Sequence, residues 1–336
     1  MGNRRITAQD VARHAGVSQS AVSRAFTPGT SVSPRMAAKV RRAAEELGYR
    51  PNATARTLIT GRSRIVGLVV YYLDNPFYPD VVERLSIALQ AEGYHVLLFT
   101  ASPTLGDVEP VLQRILDYQV DAIVMVSISL GSTLARRCAA LDIPVLLFNR
   151  DQPGADMLAV TTDNVAGGRL AARALLRGRP RRIAHLAGFE GASTQIDREA
   201  GFRAALSEAG HTLHSRAVGN YRYDVARDAA RTLLARSDRP DALFCGDDQM
   251  AFAALDVARH EFGLRVPRDL AVVGYDDVPQ SAWPSFDLTS VRQPVETMVG
   301  RSINLLMDAI AEHAVIPEPV RIEPTLVLRS TTRHGA

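Results

Sequence analysis

The chain has 336 residues, 46% of them hydrophobic, and a net charge of +3, and this length allows more than one domain with its own core. It contains no run of about eighteen apolar residues and no signal peptide, which argues against a membrane-spanning or secreted protein and predicts a cytoplasmic one. The two cysteines, Cys138 and Cys245, are far apart in apolar segments, so they indicate neither a disulfide framework nor a metal site.

The charge is unevenly distributed along the chain. Residues 1–63 contain 11 basic and 3 acidic residues, whereas residues 64–336 contain 28 basic and 33 acidic ones. A small basic head on a mildly acidic body is typical of a nucleic-acid-binding domain joined to a second function. Lys39 is the only lysine, so nearly all of the basic side chains are arginines.

Residues 7–26 predict two short helices joined by a tight turn. Thr7 and Ser18 are natural N-cap residues for these helices, and Gly16 can adopt the positive φ with which a helix ends. Apolar residues recur on one side of each helix. Helix, glycine turn and second helix within about twenty residues form the helix-turn-helix pattern, whose second helix enters the major groove of DNA.

The polar face of the second helix is suited to reading base edges. Gln can pair with adenine through two hydrogen bonds, Arg can pair with guanine, and Ser tolerates several bases. We therefore predict base contacts at Gln19, Ser20 and Arg24. Further DNA contacts are predicted at Thr7, Ser18 and Ser23. An ordinary pair of helices with a solvated polar face is the alternative.

A third helix and a linker follow. Ser33 begins the helix and Gly48 ends it, and its basic face favours phosphate contacts over a merely solvated surface. In the linker, residues 51–63, a helix of two turns is marginal by itself because helix nucleation is costly. Leu58 is an apolar residue with nothing to pack against there, although a flexible linker with an incidental leucine is the alternative.

Two stretches of this region resemble the LacI family of bacterial transcription regulators. They are TAQDVARHAGVSQSAVSRAF and SPRMAAKVRRAAEELGYRPNATARTL, and the resemblance extends over essentially the whole chain. It implies a DNA-binding domain at 1–50 and a hinge helix and linker at 51–63 that fold on the operator. In that hinge Asn52, Ala55 and Leu58 would contact DNA, with Leu58 wedged into the minor groove.

From residue 64 the pattern changes to alternating strands and helices. Continuous apolar runs such as Ile65–Val70 are typical of parallel strands that are buried on both faces. Two successive sets of β-α-β units predict an α/β core, residues 64–330, of two doubly wound parallel-sheet subdomains. The family resemblance, to a core akin to periplasmic sugar-binding proteins, places the first subdomain at about 64–162 and 294–319 and the second at about 163–293 and 320–330.

Polar and aromatic residues collect after the predicted strands, where open α/β sheets bind ligands. Carboxylates and amides can hold paired hydroxyls, Arg donates as a fork, and aromatic rings cover an apolar sugar face. The candidates are Asp74, Phe77, Tyr78, Asn149, Arg150, Arg198, Tyr221, Asp247, Asp276 and Gln293. Alternatives remain for each, such as a helix cap, a core position or, for Arg150, a bridge between subdomains. The family pattern supports Phe77, Tyr78, Arg198 and Asp276 as effector contacts.

Signals for an enzyme are weak. The single lysine lies on a DNA-binding helix, so the core has neither a P-loop lysine nor a Schiff-base lysine, and no G-x-S-x-G or H-E-x-x-H motif occurs. His211 and His214 have a metal-like spacing without convergent partners. We therefore predict neither catalysis, nor a cofactor, nor a metal.

The family resemblance implies a dimeric, ligand-responsive repressor of carbon-source genes that acts on the bacterial nucleoid. Its expected partners are palindromic operator DNA, a sugar or sugar-like effector in the cleft between the subdomains, and a second copy of the chain. No heptad-leucine tail follows the last strand, which favours a dimer over a tetramer. The alternatives are a sugar-binding sensor with a vestigial helix-turn-helix and an enzyme on the same fold.

Overall fold

The computed structural model describes residues 6–26, 31–50, 62–100, 109–128, 137–152, 157–312 and 318–333. The chain divides into two compact units, Met1–Arg64 and Ile65–Ala336. Most of the predicted hinge, including Asn52, Ala55 and Leu58, lies outside the described residues. Their predicted roles stay predictions.

The described part of the first unit contains three helices, α1 (Ala8–Ala15), α2 (Gln19–Ala25) and α3 (Pro34–Leu47). Thr7 caps α1 in a reciprocal capping box with Asp10, and Gly16 ends the helix with a φ of 57°. The hydroxyl groups of Ser18 and Ser33 accept hydrogen bonds from the first turns of α2 and α3. The predicted helix starts are therefore confirmed, because each rests on a local side-chain cap.

The three helices share a small apolar core. Val11 from α1, Val22 from α2 and Val40 from α3 are almost completely buried and belong to one cluster. Alanines fill the space around them, so the helices approach closely. This packing turns the apolar side of α2 inward and leaves its polar side to solvent.

The second unit contains two six-stranded sheets. The first sheet consists of β1 (Ile65–Val70), β2 (His95–Thr100), β3 (Ala122–Val126), β4 (Val145–Phe148), β5 (Leu158–Thr162) and β11 (Val320–Ile322). The second consists of β6 (Ile183–Ala187), β7 (Ser215–Val218), β8 (Ala242–Cys245), β9 (Ala271–Asp276), β10 (Thr289–Arg292) and β12 (Thr325–Val327). The strand orders are β11-β5-β4-β3-β1-β2 and β12-β10-β9-β8-β6-β7.

α-Helices whose bounds lie within the described residues accompany these strands. They are α4 (Phe77–Ala91), α5 (Glu109–Asp117), α6 (Asn164–Leu176), α7 (Ser193–Glu208), α8 (Tyr223–Leu234), α9 (Asp248–Asp256) and α10 (Val295–Glu312). All the strand pairs are parallel except β10 with β12, so the predicted fold class of two doubly wound parallel-sheet subdomains is confirmed. Among the described helices, none has both the length and the apolar character needed to cross a membrane.

The last strands correct one prediction. The range 320–330 was expected in the second subdomain, but β11 pairs in parallel with β5 of the first sheet. Only β12 joins the second sheet, antiparallel to β10. The physical reason is Pro324, which has no N–H to donate to a sheet and separates β11 from β12.

Candidate functional site

The predicted DNA contacts of the first unit lie on the exposed side of α2. Gln19, Ser20 and Arg24 are exposed, and Ser23 is half-buried. Arg24 Nε donates to the Ser20 carbonyl at 3.4 Å, which lays the arginine along the helix. Ser18 and Thr7 are also exposed, and their hydroxyls serve as the caps of α2 and α1. The structure therefore brings the base-reading candidates onto one face.

In the second unit, residues with a left-handed backbone gather at the carboxyl ends of the strands. They are Tyr72 after β1, Ser127 after β3, Asn149 after β4, Tyr221 after β7 and Asp276 at the end of β9, with φ values of 56°, 60°, 57°, 57° and 112°. Such conformations cost about 1–3 kcal/mol for a residue with a side chain, and they concentrate at binding sites. The backbone strain of these left-handed residues is therefore located at the ends of the strands that face the cleft.

Arg198 on α7 is the central cation of the cleft. Its side chain is nearly completely buried, with Nε donating to Asn164 Oδ1 at 2.8 Å and Nη1 donating to the Gly246 carbonyl at 2.6 Å. The guanidinium lies over the Tyr275 ring, 3.6 Å from its centroid, and 3.7 Å from the Asp276 carboxylate. Four neighbours thus hold the guanidinium in one orientation.

Arg150 joins the two subdomains. It follows β4 of the first sheet, and its guanidinium donates to the Thr194 hydroxyl at the start of α7. The next residue, Asp151, donates its N–H to Ser193 Oγ at 3.1 Å. The bridging role that the sequence left open for Arg150 is therefore present in the structure.

Two further links cross the cleft. Asn75 Nδ2 donates to Asp247 Oδ2 at 2.9 Å, and the other oxygen of Asp247 caps α9. Gln293 donates to Asp276 Oδ1 at 2.7 Å and accepts from the Thr162 hydroxyl at 2.6 Å. Because Asn75 and Thr162 belong to the first subdomain, these contacts tie both sheets together at their carboxyl ends.

Aromatic side chains cover this polar network. Phe77, Tyr78 and Tyr221 are buried, and the Tyr78 hydroxyl lies 2.6 Å from Ser127 Oγ. The Tyr72 ring stacks on the Tyr78 ring at a centroid distance of 6.4 Å. The cleft therefore combines apolar faces with hydrogen-bonding groups, as a sugar ring requires.

A cavity opens beside the network at the start of α4. It has a volume of about 370 Å³ and lies between α4 and the segment that follows β10. Phe77, Asp276 and Gln293 line it together with Asp80 and Arg292. Three of the predicted effector residues therefore border open space.

Two models of known protein families match this chain. A family model described as bacterial regulatory proteins, lacI family, matches residues 7–52, and a model of a periplasmic binding protein-like domain matches residues 172–332. The HTH-type transcriptional regulator CelR of Thermobifida fusca is 35% identical over 98% of this chain and 98% of its own length. This chain belongs to the lacI family.

Solved structures are similar over nearly the whole chain. A complex of the transcriptional regulator CelR with cellobiose is 33% identical, with a TM-score of 0.73 over 97% of this chain and 100% of that chain. A lac repressor dimer bound to operator and the anti-inducer ONPF is 25% identical, with a TM-score of 0.86 over 98% of this chain and 99% of that chain. The family predicted from the sequence is confirmed, and its relatives are transcriptional regulators.

In this LacI-family protein, nine of the ten predicted effector residues are buried or line the cleft. They are Phe77, Tyr78, Asn149, Arg150, Arg198, Tyr221, Asp247, Asp276 and Gln293. Asp74 differs, because its side chain is exposed. Within the ranges that the structure covers, no group of three or more His, Cys, Asp and Glu side chains could hold a metal ion.

Sequence reasoning missed several residues of the cleft. Asn75 could have been identified from the sequence. It precedes a proline, and a residue before Pro is held in an extended or turn conformation from which a polar side chain can point across a cleft. Tyr72, Thr162 and Thr194 carried no distinguishing local signal. Burial raises the pKa of the Tyr72 phenol, and the charge of Arg150 opposes that rise.

Three buried carboxyl groups, those of Asp247, Asp248 and Asp276, lie in or next to the cleft. Burial raises the pKa of Asp247 and of Asp276 to about 7, and the charge of Arg198 opposes this in both cases. Burial also raises the pKa of Asp248 to about 8, although its carboxylate accepts hydrogen bonds from Val278 N–H, Ser281 Oγ and Ser290 Oγ. The cleft therefore holds more protons near neutral pH than exposed carboxyls would.

This protonation predicts a pH dependence of stability. The pKa of Asp276 rises from 3.8 to about 7 on folding, so its contribution to stability is full below its ordinary pKa and is lost as the pH rises through 7. Between pH 5 and 7, the free energy of unfolding of the wild type should fall by about 1 kcal/mol per pH unit relative to Asp276→Asn. Urea unfolding at several pH values measures this difference. Asp74→Asn, at an exposed position, should run parallel to the wild type; a parallel curve for Asp276→Asn contradicts the prediction.

Proposed function

We propose that this chain is a sequence-specific DNA-binding regulator, and not an enzyme, that represses carbohydrate or other carbon-source genes. The first unit binds operator DNA through the exposed face of α2, with base contacts at Gln19, Ser20 and Arg24. A sugar or sugar derivative in the cleft of the second unit controls operator affinity. Such a regulator works in the bacterial cytoplasm, at the nucleoid.

One observation supports control of operator affinity by the effector. The side chains that are predicted to bind the effector also form the links between the subdomains, at Arg150 with Thr194, Asn75 with Asp247, and Gln293 with Asp276 and Thr162. A ligand whose hydroxyl groups bind these side chains must replace some of these links. Ligand binding therefore changes how the two subdomains are held together.

Linkage between the effector site and the DNA-binding face requires such a change in how the subdomains are held together. A ligand shifts a conformational equilibrium only as far as its affinities for the two conformations differ. The links that the ligand replaces would make its affinity differ between the two conformations. The chemistry of the cleft, two buried arginines with carboxylates, amides and aromatic rings, fits a polyhydroxylated ligand, and a negatively charged group on that ligand could pair with Arg150 or Arg198.

The relatives support this proposal. The lac repressor structure contains a dimer bound to operator, and the CelR structure contains cellobiose. We propose a homodimer for this chain as well, on a palindromic operator with the hinge residue Leu58 at its centre. The edge strand β2 and the helix α4 support a partner surface, because Leu98 on β2 and Ile87 on α4 are 49% and 61% exposed. Exposed apolar side chains favour association.

Selection of operator sequences tests the function directly. The full chain should enrich two-fold symmetric duplexes from a random pool, and one or more sugars from a metabolite screen should raise its melting temperature and change its operator affinity. Enrichment of no sequence would leave a sugar sensor with a vestigial head. Chemical turnover of the bound sugar would instead reveal an enzyme.

Arg24→Ala should weaken operator binding by about 1–3 kcal/mol and relax the preference at one base pair of each half-site. The reason is that Arg24 lies on the exposed face of α2, one turn from Ser20. Binding to the selected operator and to duplexes with single substitutions measures both effects at one salt concentration.

Arg42→Ala is the matched control for Arg24→Ala. Arg42 is exposed on α3, on the face predicted to contact phosphates. Its loss should weaken all sequences about equally and reduce the slope of log affinity against log salt by about 1. An equal loss on operator and random DNA for Arg24→Ala would make Arg24 a phosphate contact too.

A further inference from the structure

Arginines converge at the end of the second sheet that is opposite to the cleft. The strands β6, β8 and β9 are parallel and begin in register, Ile183 beside Ala242 and Ala242 beside Ala271. The turns before these strands therefore meet at one end of the sheet. The stretches 173–182, 236–241 and 265–269, counted together with Arg333, contain 10 arginines and only 3 acidic residues. The first of these stretches includes the last turn of α6.

Six of these guanidinium groups form no hydrogen bond and no close ion pair with the residues that the structure describes. All six side chains are exposed, and we name them the distal arginine patch: Arg173, Arg177, Arg179, Arg181, Arg239 and Arg268. The other four arginines are engaged, Arg236 and Arg265 with aspartates and Arg182 and Arg333 with backbone carbonyls. The unpaired charges are thus concentrated within one surface.

The engaged arginines hold the patch together. Arg333 donates to the carbonyls of Pro267, Gly178 and Arg268 at 2.9, 3.2 and 2.8 Å, which joins the turn before β9 to the turn before β6. Arg182 donates to the Arg239 carbonyl at 2.7 Å, which joins the turn before β8. The patch is therefore a fixed surface and not a set of independent loops.

The neighbouring carboxylate of Asp241 does not form an ion pair with any of the described guanidinium groups of this surface. Both oxygens of the Asp241 carboxylate accept hydrogen bonds from the backbone N–H groups of Arg181 and Arg182. Positive charge at the end of α6 stabilises the helix dipole, which accounts for Arg173 and Arg177. The helix dipole does not account for the other four arginines of the patch. Arg179 in addition has an unfavourable backbone φ of 49°.

The surroundings of the patch indicate the kind of partner. Protein interfaces have a core of buried apolar and aromatic side chains, whereas interfaces with DNA are more polar and much more positive. Of the large apolar side chains that are exposed in the described part of the chain, none lies in these three turns. Arginine also pairs with phosphate in a bidentate geometry.

We propose that the distal arginine patch binds the phosphate backbone of a DNA duplex without reading its sequence. This site is separate from the face of α2, because it belongs to the second unit. A regulator with both surfaces can hold an operator and a second segment of DNA. Each phosphate contact releases counterions, so binding at the patch must weaken steeply with salt.

A pair of charge-matched variants tests this site in the full chain. One variant carries Arg177→Ala, Arg179→Ala and Arg181→Ala in the patch. The control carries Arg169→Ala, Arg203→Ala and Arg227→Ala, three arginines of the second unit that pair with glutamates. Both lose the same charge and keep the first unit intact, so binding of DNA by the head is the same in both.

The probe is a random-sequence duplex without an operator, titrated by fluorescence anisotropy between 50 and 200 mM salt. Relative to the control, the patch variant should bind on the order of tenfold more weakly at the lowest salt, with a salt slope shallower by about two to three. Equal affinities and slopes for the two variants overturn the proposal. Because no operator is used, failure of the proposed regulatory function does not affect this result, and both variants must first show wild-type circular dichroism.

Two further probes decide the class of partner. Poly-glutamate represents an acidic protein segment, and phosphatidylglycerol vesicles represent an anionic membrane. The duplex should lose the most affinity in the patch variant. A larger loss for poly-glutamate or for the vesicles assigns the patch to that partner and overturns the DNA proposal.

Discussion

Arg198→Ala is expected to abolish the effector response while operator binding by the ligand-free protein stays close to that of the wild type. Arg198 is buried, and its guanidinium is the charged donor nearest to the Asp276 carboxylate at the ends of the strands. Hydrogen bonds to a charged group contribute about 1.5–3 kcal/mol each, so losing two to a ligand should weaken its binding about 100-fold or more. Calorimetry with the sugar found by screening measures the loss.

The variant also changes the cleft itself. Without Arg198, the Asp276 carboxyl is buried with no adjacent guanidinium on α7, and the Asn164 side chain and the Gly246 carbonyl lose their donor. Destabilisation by a few kcal/mol is expected, because a buried group that loses its charged partner is costly. Arg198→Met retains most of the side-chain volume and separates loss of charge from loss of packing.

Arg203→Ala is the control on the same helix. Arg203 pairs with Glu199 at the surface of α7 and does not face the cleft network. The Arg203→Ala variant should therefore bind the sugar as tightly as the wild type does. Unchanged ligand affinity in both Arg198→Ala and Arg198→Met would remove Arg198 from the effector site.

Gly201→Ala is expected to destabilise the second unit by about 3 kcal/mol or more. A Cβ on Gly201 of α7 would lie 2.0 Å from the Val165 carbonyl oxygen of α6, and a Cβ on Gly168 would lie 2.0 Å from the Arg198 carbonyl oxygen. The obstacle in both cases is backbone, so the helices must separate, and forcing extra volume into a packed core costs about 1–3 kcal/mol or more. Separation would also displace Arg198 from Asn164. Urea unfolding measures the loss.

Gly300→Ala provides the contrast. Gly300 is inside α10, and a Cβ there would meet nothing within 4 Å in the described structure. Alanine in a helix is favoured over glycine by about 0.5–1 kcal/mol, so this variant should be slightly more stable than the wild type. Similar stabilities for Gly201→Ala and Gly300→Ala would show that α6 and α7 can move apart at little cost.

The sequence by itself determined the elements and their class. Caps at Thr7, Ser18 and Ser33, and the glycine after α1, act within a few residues of themselves, so their effect is readable without the fold. Continuous apolar runs indicated parallel strands, and the rule that ligands bind at their carboxyl ends selected a set of cleft residues of which only Asp74 is left exposed. The division at Pro324 was also encoded locally, although the prediction placed all of residues 320–330 in the second subdomain.

Only the tertiary structure decided which distant residues meet. The bonds of Asn75 with Asp247 and of Arg150 with Thr194 join segments 172 and 44 residues apart, and no local pattern specifies such pairs. The distal arginine patch depends in the same way on the parallel register of β6, β8 and β9, which brings three separate turns to one end of a sheet. Helix caps and hydrophobic periods are local properties of a chain, whereas strand order and register are set by packing between elements, and this is the reason that the sequence predicted the parts and the fold decided the contacts.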